Sequence, residues 1–174
     1  MPLVREVSVD AGREAPSDFR DFFEAQYPRV ARALYLMTGD RSEAEDLAQE
    51  AFVRVYERWG RIRTMDSPTG YLYRTAMNLN RSRLRRLAGR ARRIINVGHE
   101  KSGDPALVVE SRDEIDRALN ELSRGEREAL VLMEWIGLNA EETAAVLGIR
   151  SVSARARLSR AKARIRRSLE IADE

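Results

Sequence analysis

Residues 139–169 read NAEETAAVLGIRSVSARARLSRAKARIRRSL, and this stretch decides the fold. Asn139 is of a type that caps helix N-termini, Thr143, Ala144 and Leu147 follow at helical spacing, and Gly148 stands where a C-terminal capping glycine belongs. That is one short helix and its stop. After Gly148-Ile149-Arg150, Ser151 opens a second run in which Ala154, Leu158, Ala161, Ile165 and Leu169 recur every three or four residues on one face. The other faces carry Arg155, Arg157, Arg160, Lys162, Arg164, Arg166 and Arg167. An ordinary arginine-rich surface helix would carry similar charges. Two short helices joined by a glycine-containing turn, the second basic outside its apolar stripe, are nonetheless the layout of a helix-turn-helix that lays its second helix in the DNA major groove.

The chain's 174 residues, 43% of them apolar, suffice for one ordinary domain or two small ones. There is no cysteine, hence no disulfide framework and no thiolate metal site, which suits a reducing cytoplasm. A single histidine, His99, leaves no basis for multi-histidine metal binding or histidine-centred catalysis. No apolar segment has the length of a membrane span and none at the start reads as a signal peptide, so a cytoplasmic protein without membrane insertion is expected.

The net charge of +3 understates how the charges are arranged. Between Gly60 and Ile95 stand ten arginines and one acid, Asp66; between Arg150 and Glu170, eight basic residues and one acid. Two separated basic blocks within acid-rich sequence suit a polyanion-binding protein with two contact surfaces.

Residues 1–16 show no helical periodicity and read as a mobile tail. Ser17 is a candidate N-cap, and Phe22, Phe23, Tyr27, Val30, Ala33, Leu34 and Met37 then predict a helix up to Gly39, with a bend at Pro28. Ser42 and Glu45 have capping-box spacing ahead of a second helix running to about Trp59, with Ala48, Ala51, Phe52, Val55 and Trp59 as its buried stripe. Asp46, Gln49, Glu50 and Val53 share the opposite face, which physics alone reads as solvated surface. Residues 61–67 read as a loop, and a third helix runs from Pro68 to about Arg93, amphipathic at first and arginine-rich at its end.

Gly98, Ser102, Gly103, Asp104 and Pro105 mark a flexible linker, placed at 95–110, with His99 inside it as an exposed linker residue. Beyond it, Ile115, Leu119 and Leu122 predict another helix, and the Ser123/Glu126 capping box opens one more that ends at Gly137. The expected architecture is all-α: two small helical domains, 17–94 and 111–174, joined by the flexible linker, the second a four-helix helix-turn-helix domain.

Three runs carry a family resemblance. Glu45-Asp46-Leu47-Ala48-Gln49-Glu50-Ala51-Phe52 resembles the D-L-x-Q-E-x-F signature of the extracytoplasmic-function group of bacterial sigma factors, in the sigma-70 family. Tyr71-Leu72-Tyr73-Arg74, followed by Asn78 and Leu84-Arg85-Arg86, is similar to the W-L-Y-R-x-A-x-N helix of that group, and Arg157-Leu158-Ser159-Arg160-Ala161 to its closing R-L-x-R-A. The match departs at Arg150-Ser151-Val152-Ser153-Ala154, where the family has Ser-Glu-Gly-Thr-Val, and at Ser82, where it often has Asp. Those departures bear on promoter sequence, not on fold.

The resemblance implies that Asp46, Gln49, Glu50 and Val53 dock on core RNA polymerase. It implies that the loop before the third helix captures an unpaired base of the −10 element. Ile62 would then pack against the extruded base, Thr64, Asp66 and Asn78 would offer hydrogen-bonding edges, and Arg63, Arg81, Arg85 and Arg86 would hold DNA. On the second helix of the helix-turn-helix, Arg155, Ala156, Ser159 and Arg160 face outward for base edges of the −35 element, with Ser151, Ser153 and Arg157 placed for phosphates. The implied partners are core polymerase, promoter DNA as duplex and as melted non-template strand, and an anti-sigma factor clamping both domains. No catalytic residue, metal or cofactor is expected. The alternative is a helix-turn-helix regulator that binds duplex DNA without docking on polymerase; it would not need the third helix and its preceding loop.

Overall fold

Apolar residues at three- and four-residue spacing from Phe19 to Met37 give the first helix its buried face. In the computed structural model that helix, α1, spans Ser17–Thr38. The structure describes residues 17–96 and 113–172, with side chains described for 18–89 and 117–168. The expected tail at 1–16, the linker segment at 97–110 and His99 lie outside the described residues. Ser17 is itself helical, and Pro28 is accommodated inside the helix. Gly39, with φ of +72°, ends α1.

The next N-terminus corrects the sequence reading. Helix α2, Arg41–Tyr56, is capped by Asp40, whose carboxylate accepts from the Glu43 backbone N–H at 2.9 Å. The Ser42/Glu45 spacing has capping-box chemistry, but aspartate caps as well as serine does and stands two residues earlier, so the helix starts there. Glu45 pairs instead with Arg41 at 2.9 Å. Helix α2 stops at Tyr56, short of Trp59, and a single turn, α3 at Trp59–Ile62, occupies the start of the expected loop. Trp59 is buried against the rings of Phe19 and Phe22 at 5.2 and 4.9 Å. The predicted stripe of Ala48, Ala51, Phe52, Val55 and Trp59 is buried throughout.

Helix α4 runs Pro68–Asn96, beyond the expected Arg93 and the domain limit set at 94. The Ser67 hydroxyl accepts from the Gly70 N–H at 3.0 Å, and Pro68 fills the first position, where a missing N–H costs nothing. Leu72, Tyr73, Ala76, Met77 and Leu79 face the core. The Tyr73 hydroxyl is buried without a hydrogen-bond partner, and burial pushes its pKa up to about 12. An unpaired buried hydroxyl is a cost, so Tyr73→Phe is expected to leave the thermal melting temperature unchanged or raise it; a clear drop in a calorimetric melt would contradict this.

The C-terminal half contains α5, Asp113–Glu121, and α6, Arg124–Leu130, which widens into a π-helical turn at Val131–Trp135. Helix α7, Ala140–Leu147, and α8, Ser151–Ala172, follow. Both capping signals work: Ser123 and Glu126 form a reciprocal capping box, and Asn139 does the same with Glu142. Gly148 takes the left-handed conformation at φ +67° that closes α7 and sets the turn into α8. No strand occurs among the described residues.

Two helical regions joined by a linker are expected from sequence and are present, and their described residues also pack into a shared core. Val131, Leu132, Ile136, Val146 and Leu147 join the cluster built by α1, α2 and α4, with α4 lying along α7. A second cluster of Leu119, Leu122 and Ala161 takes in Leu36 of α1. Three arginines then cross between the halves, each donating to a carbonyl at the end of a helix on the other side. Arg127 reaches Met37 at 3.3 Å, Arg29 reaches Ile136 at 2.8 Å, and Arg81 reaches Leu147 at 3.1 Å. Such carbonyls have no intrahelical partner and sit at the negative end of the helix dipole, where a cation is favoured.

Candidate polymerase and nucleic-acid interfaces

The α2 stripe fixes what its outer face presents. With Ala48, Ala51, Phe52 and Val55 turned inward, Asp46, Gln49, Glu50 and Val53 are all exposed, and Val53 is 56% exposed, unusual for valine. Arg54 pairs with Glu50 at 2.6 Å across one helical turn. Tyr56, half-exposed and three residues beyond Val53, extends the same row and was missed from sequence because an aromatic near a helix end reads as core. The result is a polar row with an apolar end formed by Val53 and Tyr56.

The residues expected to handle the −10 element are not all brought together. Ile62, the last residue of α3, is fully buried and cannot stack on an extruded base; the turn at 59–62, unforeseen from sequence, rotates it into the core. Arg63, Thr64 and Asp66 are exposed on the loop. Arg63 pairs with Asp18 at 3.4 Å, and the Thr64 hydroxyl donates to the Arg61 carbonyl at 2.9 Å. Asn78, Arg85 and Arg86 are exposed along α4, and Arg74, also exposed, lies one turn before Asn78 and belongs to the same face. Arg81 departs from the expectation. Its side chain is 19% exposed and forks onto the Glu128 carboxylate at 2.9 and 3.2 Å, so in this conformation it is occupied by protein rather than open to DNA. Neighbouring Arg83 likewise forks onto Glu43.

On α8 the buried positions Ala154 and Ala161 turn Val152, Arg155, Ala156 and Ser159 outward as one row at three- and four-residue spacing. Val152 heads the row at 67% exposure, where the resemblance has glycine. Arg155 is exposed and pairs with Glu141 of α7 at 2.7 Å; that hydrogen bond holds the Glu141 carboxyl below its ordinary value. Ser151 and Ser153 are partly exposed at the helix start. Arg157, Arg160 and Arg164 form a different flank, turned towards α6. The Arg157 guanidinium lies over Gly125, where a Cβ would come within 3.1 Å of it, and Arg160 and Arg164 each approach Glu126 at 3.5 Å. Glu126 is held below its ordinary value, first by the Ser123 backbone N–H and then by these two cations. Arg160 is thus exposed yet leans towards a buried carboxylate at 3.5 Å, whereas Arg155 pairs at 2.7 Å with an exposed one.

Two stretches of the chain, in this order, match two families. Residues 22–90 match Sigma-70 region 2, and residues 112–165 match Sigma-70, region 4. The RNA polymerase sigma-E factor of Streptomyces avermitilis is 31% identical over 161 residues, covering 90% of this chain and 87% of that protein. The ECF RNA polymerase sigma factor SigE of Mycolicibacterium smegmatis is 32% identical over 148 residues, covering 79% of this chain and 56% of that one. The chain belongs to the extracytoplasmic-function group of RNA polymerase sigma factors. Its fold is that of the sigma factor RpoE solved with the anti-sigma factor NepR from Bartonella quintana, with a TM-score of 0.76 at 22% identity over 90% of this chain and 99% of that one. A second likeness is to CnrH, solved with the cytosolic domain of CnrY, at a TM-score of 0.61, 22% identity and 91% and 90% coverage. In this sigma factor no group of acidic and histidine side chains suited to a metal ion occurs among the described residues, and no described helix is long and apolar enough to cross a membrane.

Proposed function

We propose that this sigma factor binds core RNA polymerase through the exposed face of α2 and directs it to promoters, reading the −35 element with α8 and the −10 element with the 63–66 loop and α4. It acts without catalytic residues of its own, in the cytoplasm. The observation that carries the reading is the pairing, in one chain, of a polar docking face with exposed Val53 on α2 and an outward row headed by Val152 and Arg155 on the helix of a helix-turn-helix. A duplex-binding regulator needs only the second. Residues 17–94 would handle polymerase and melted strand, residues 111–174 duplex. The anti-sigma factor NepR named with the RpoE structure supports a protein partner of the same kind here.

The test is run-off transcription with purified core polymerase, together with a core pull-down. Gln49→Ala with Glu50→Lys is expected to abolish most core retention while leaving the melting temperature nearly unchanged, because exposed substitutions shift stability by less than about 0.5 kcal/mol. Undiminished retention would remove α2 from the docking surface.

A further inference from the structure

Arg81 lies on α4 between Asn78 and Arg85, three and four residues from each, in the row assigned above to promoter DNA. In the structure its guanidinium forks onto both oxygens of Glu128, at 3.2 and 2.9 Å, and also donates to the Leu147 carbonyl at 3.1 Å. Glu128 is 2% exposed, and the other cation near it, Arg124, stands at 3.8 Å. A buried carboxylate requires such a partner, because removing one member strands an uncompensated charge. Around this pair lie the other two interdomain arginine bonds, to Met37 and Ile136, and the Arg32 guanidinium over the exposed Trp135 ring at 5.2 Å. The cleft opposite is bounded by Met65, Asp66 and Ser67 of the −10 loop on one side and by Leu138, Glu142 and Val146 on the other, with α7 facing the loop.

Geometry makes this packed arrangement incompatible with promoter engagement. Twenty-five or so base positions separate elements centred at −35 and −10, about 85 Å along the duplex at roughly 3.4 Å per step. A packed body of this size has a radius of gyration of only about 15 Å. With α4 against α7, and α7 joined to α8 by one short turn, the two reading surfaces cannot reach both elements at once. The halves must part, and parting breaks the Arg81–Glu128 fork.

We propose that Arg81 and Glu128 form an interdomain latch: it holds the free sigma factor closed, and Arg81 exchanges the Glu128 carboxylate for a DNA phosphate when the domains part. The chemistry of the exchange is like for like. Carboxylate and phosphate both accept a bidentate guanidinium fork, so the cation is partnered before and after opening. Arg81 then does on α4 what its position beside Asn78 and Arg85 suggests, but only in the open form. This rests on the promoter-binding reading above, and the test separates the two.

The chain has no cysteine, so Ser42→Cys on α2 and Ala163→Cys on α8, both exposed, label one site in each half for energy transfer in the full-length free protein. High transfer is expected in the parent. Arg81→Glu sets two carboxylates together and is expected to lose it, and Arg81→Glu with Glu128→Arg to regain it. The conservative Glu128→Gln is expected to lower transfer and to raise affinity for a single-stranded non-template-strand oligonucleotide several-fold, an effect absent when Arg81→Gln is combined with it. Helicity and melting temperature of each variant distinguish opening from unfolding. Low transfer in the parent, or no recovery in the folded charge-swapped pair, would overturn the latch. A Glu128→Gln protein that opens without gaining strand affinity would overturn the exchange. Core retention through the exposed face of α2 is measured on the same proteins and does not depend on Arg81, so its loss would indict the functional reading instead.

Discussion

Arg155→Ala is expected to weaken binding of the holoenzyme to duplex promoter by about 1–3 kcal/mol, roughly 5- to 150-fold, if the guanidinium reads a guanine edge. The loss should depend on sequence: large on the native −35 element and small on one whose contacted base pair is changed. Arg155 sits on the outward row of α8 beside Ala156 and Ser159, and its partner Glu141 is an exposed carboxylate on α7. An exposed ion pair is worth at most about 1 kcal/mol, so it yields readily to a base or phosphate. Arg160→Ala should behave differently. Its guanidinium approaches the buried Glu126 at the capped start of α6, so its loss falls mainly on how α8 is held against α6. Mobility-shift titrations of both variants on native and substituted −35 duplexes measure the contrast; equal, sequence-dependent losses would return Arg160 to the base-reading set.

The helices were legible because their signals are local. Gly148, Asn139 and the Ser123/Glu126 box each act within four residues, and each does in the structure what its chemistry indicates. The α2 cap failed by the same locality: two capping residues stand two positions apart, and nothing in the sequence ranks Asp40 above Ser42. Ile62 was misplaced because a single helical turn is too short to leave a periodic signal, and its burial depends on Trp59 docking against α1. The interdomain packing was illegible for a different reason. Arg81 is drawn to Glu128, 47 residues away, and an arginine on a basic helix reads as a DNA contact whether or not a carboxylate waits for it in space. The one signal in the sequence was Glu128 itself, an acid directly before the apolar run Ala129, Leu130, Val131 and Leu132, where burial demands a cation.

The melting step should fail separately from duplex reading. Asn78 is exposed on α4, one turn beyond Arg74 and seven residues before Arg85, with its amide open to a base edge. Unlike Ile62, it remains available to an unpaired base, and the neighbouring loop residues Thr64 and Asp66 are exposed as well. Extruding a base costs a few kcal/mol, which contacts to the freed strand must offset. Asn78→Ala removes one such contact, worth a net of about 0.5–1.5 kcal/mol, so promoter opening is expected to slow roughly two- to tenfold while the closed complex forms with parental affinity. A template with a premelted bubble supplies the unpaired bases in advance and should recover part of the lost rate. It should not rescue Arg155→Ala, whose defect lies in the duplex upstream. Permanganate reactivity of thymines near −10, followed in time beside a filter-binding assay of the holoenzyme, reads the two steps on the same samples. Opening at the parental rate in Asn78→Ala, or rescue of Arg155→Ala by the bubble, would break the assignment of melted strand to α4 and of duplex to α8.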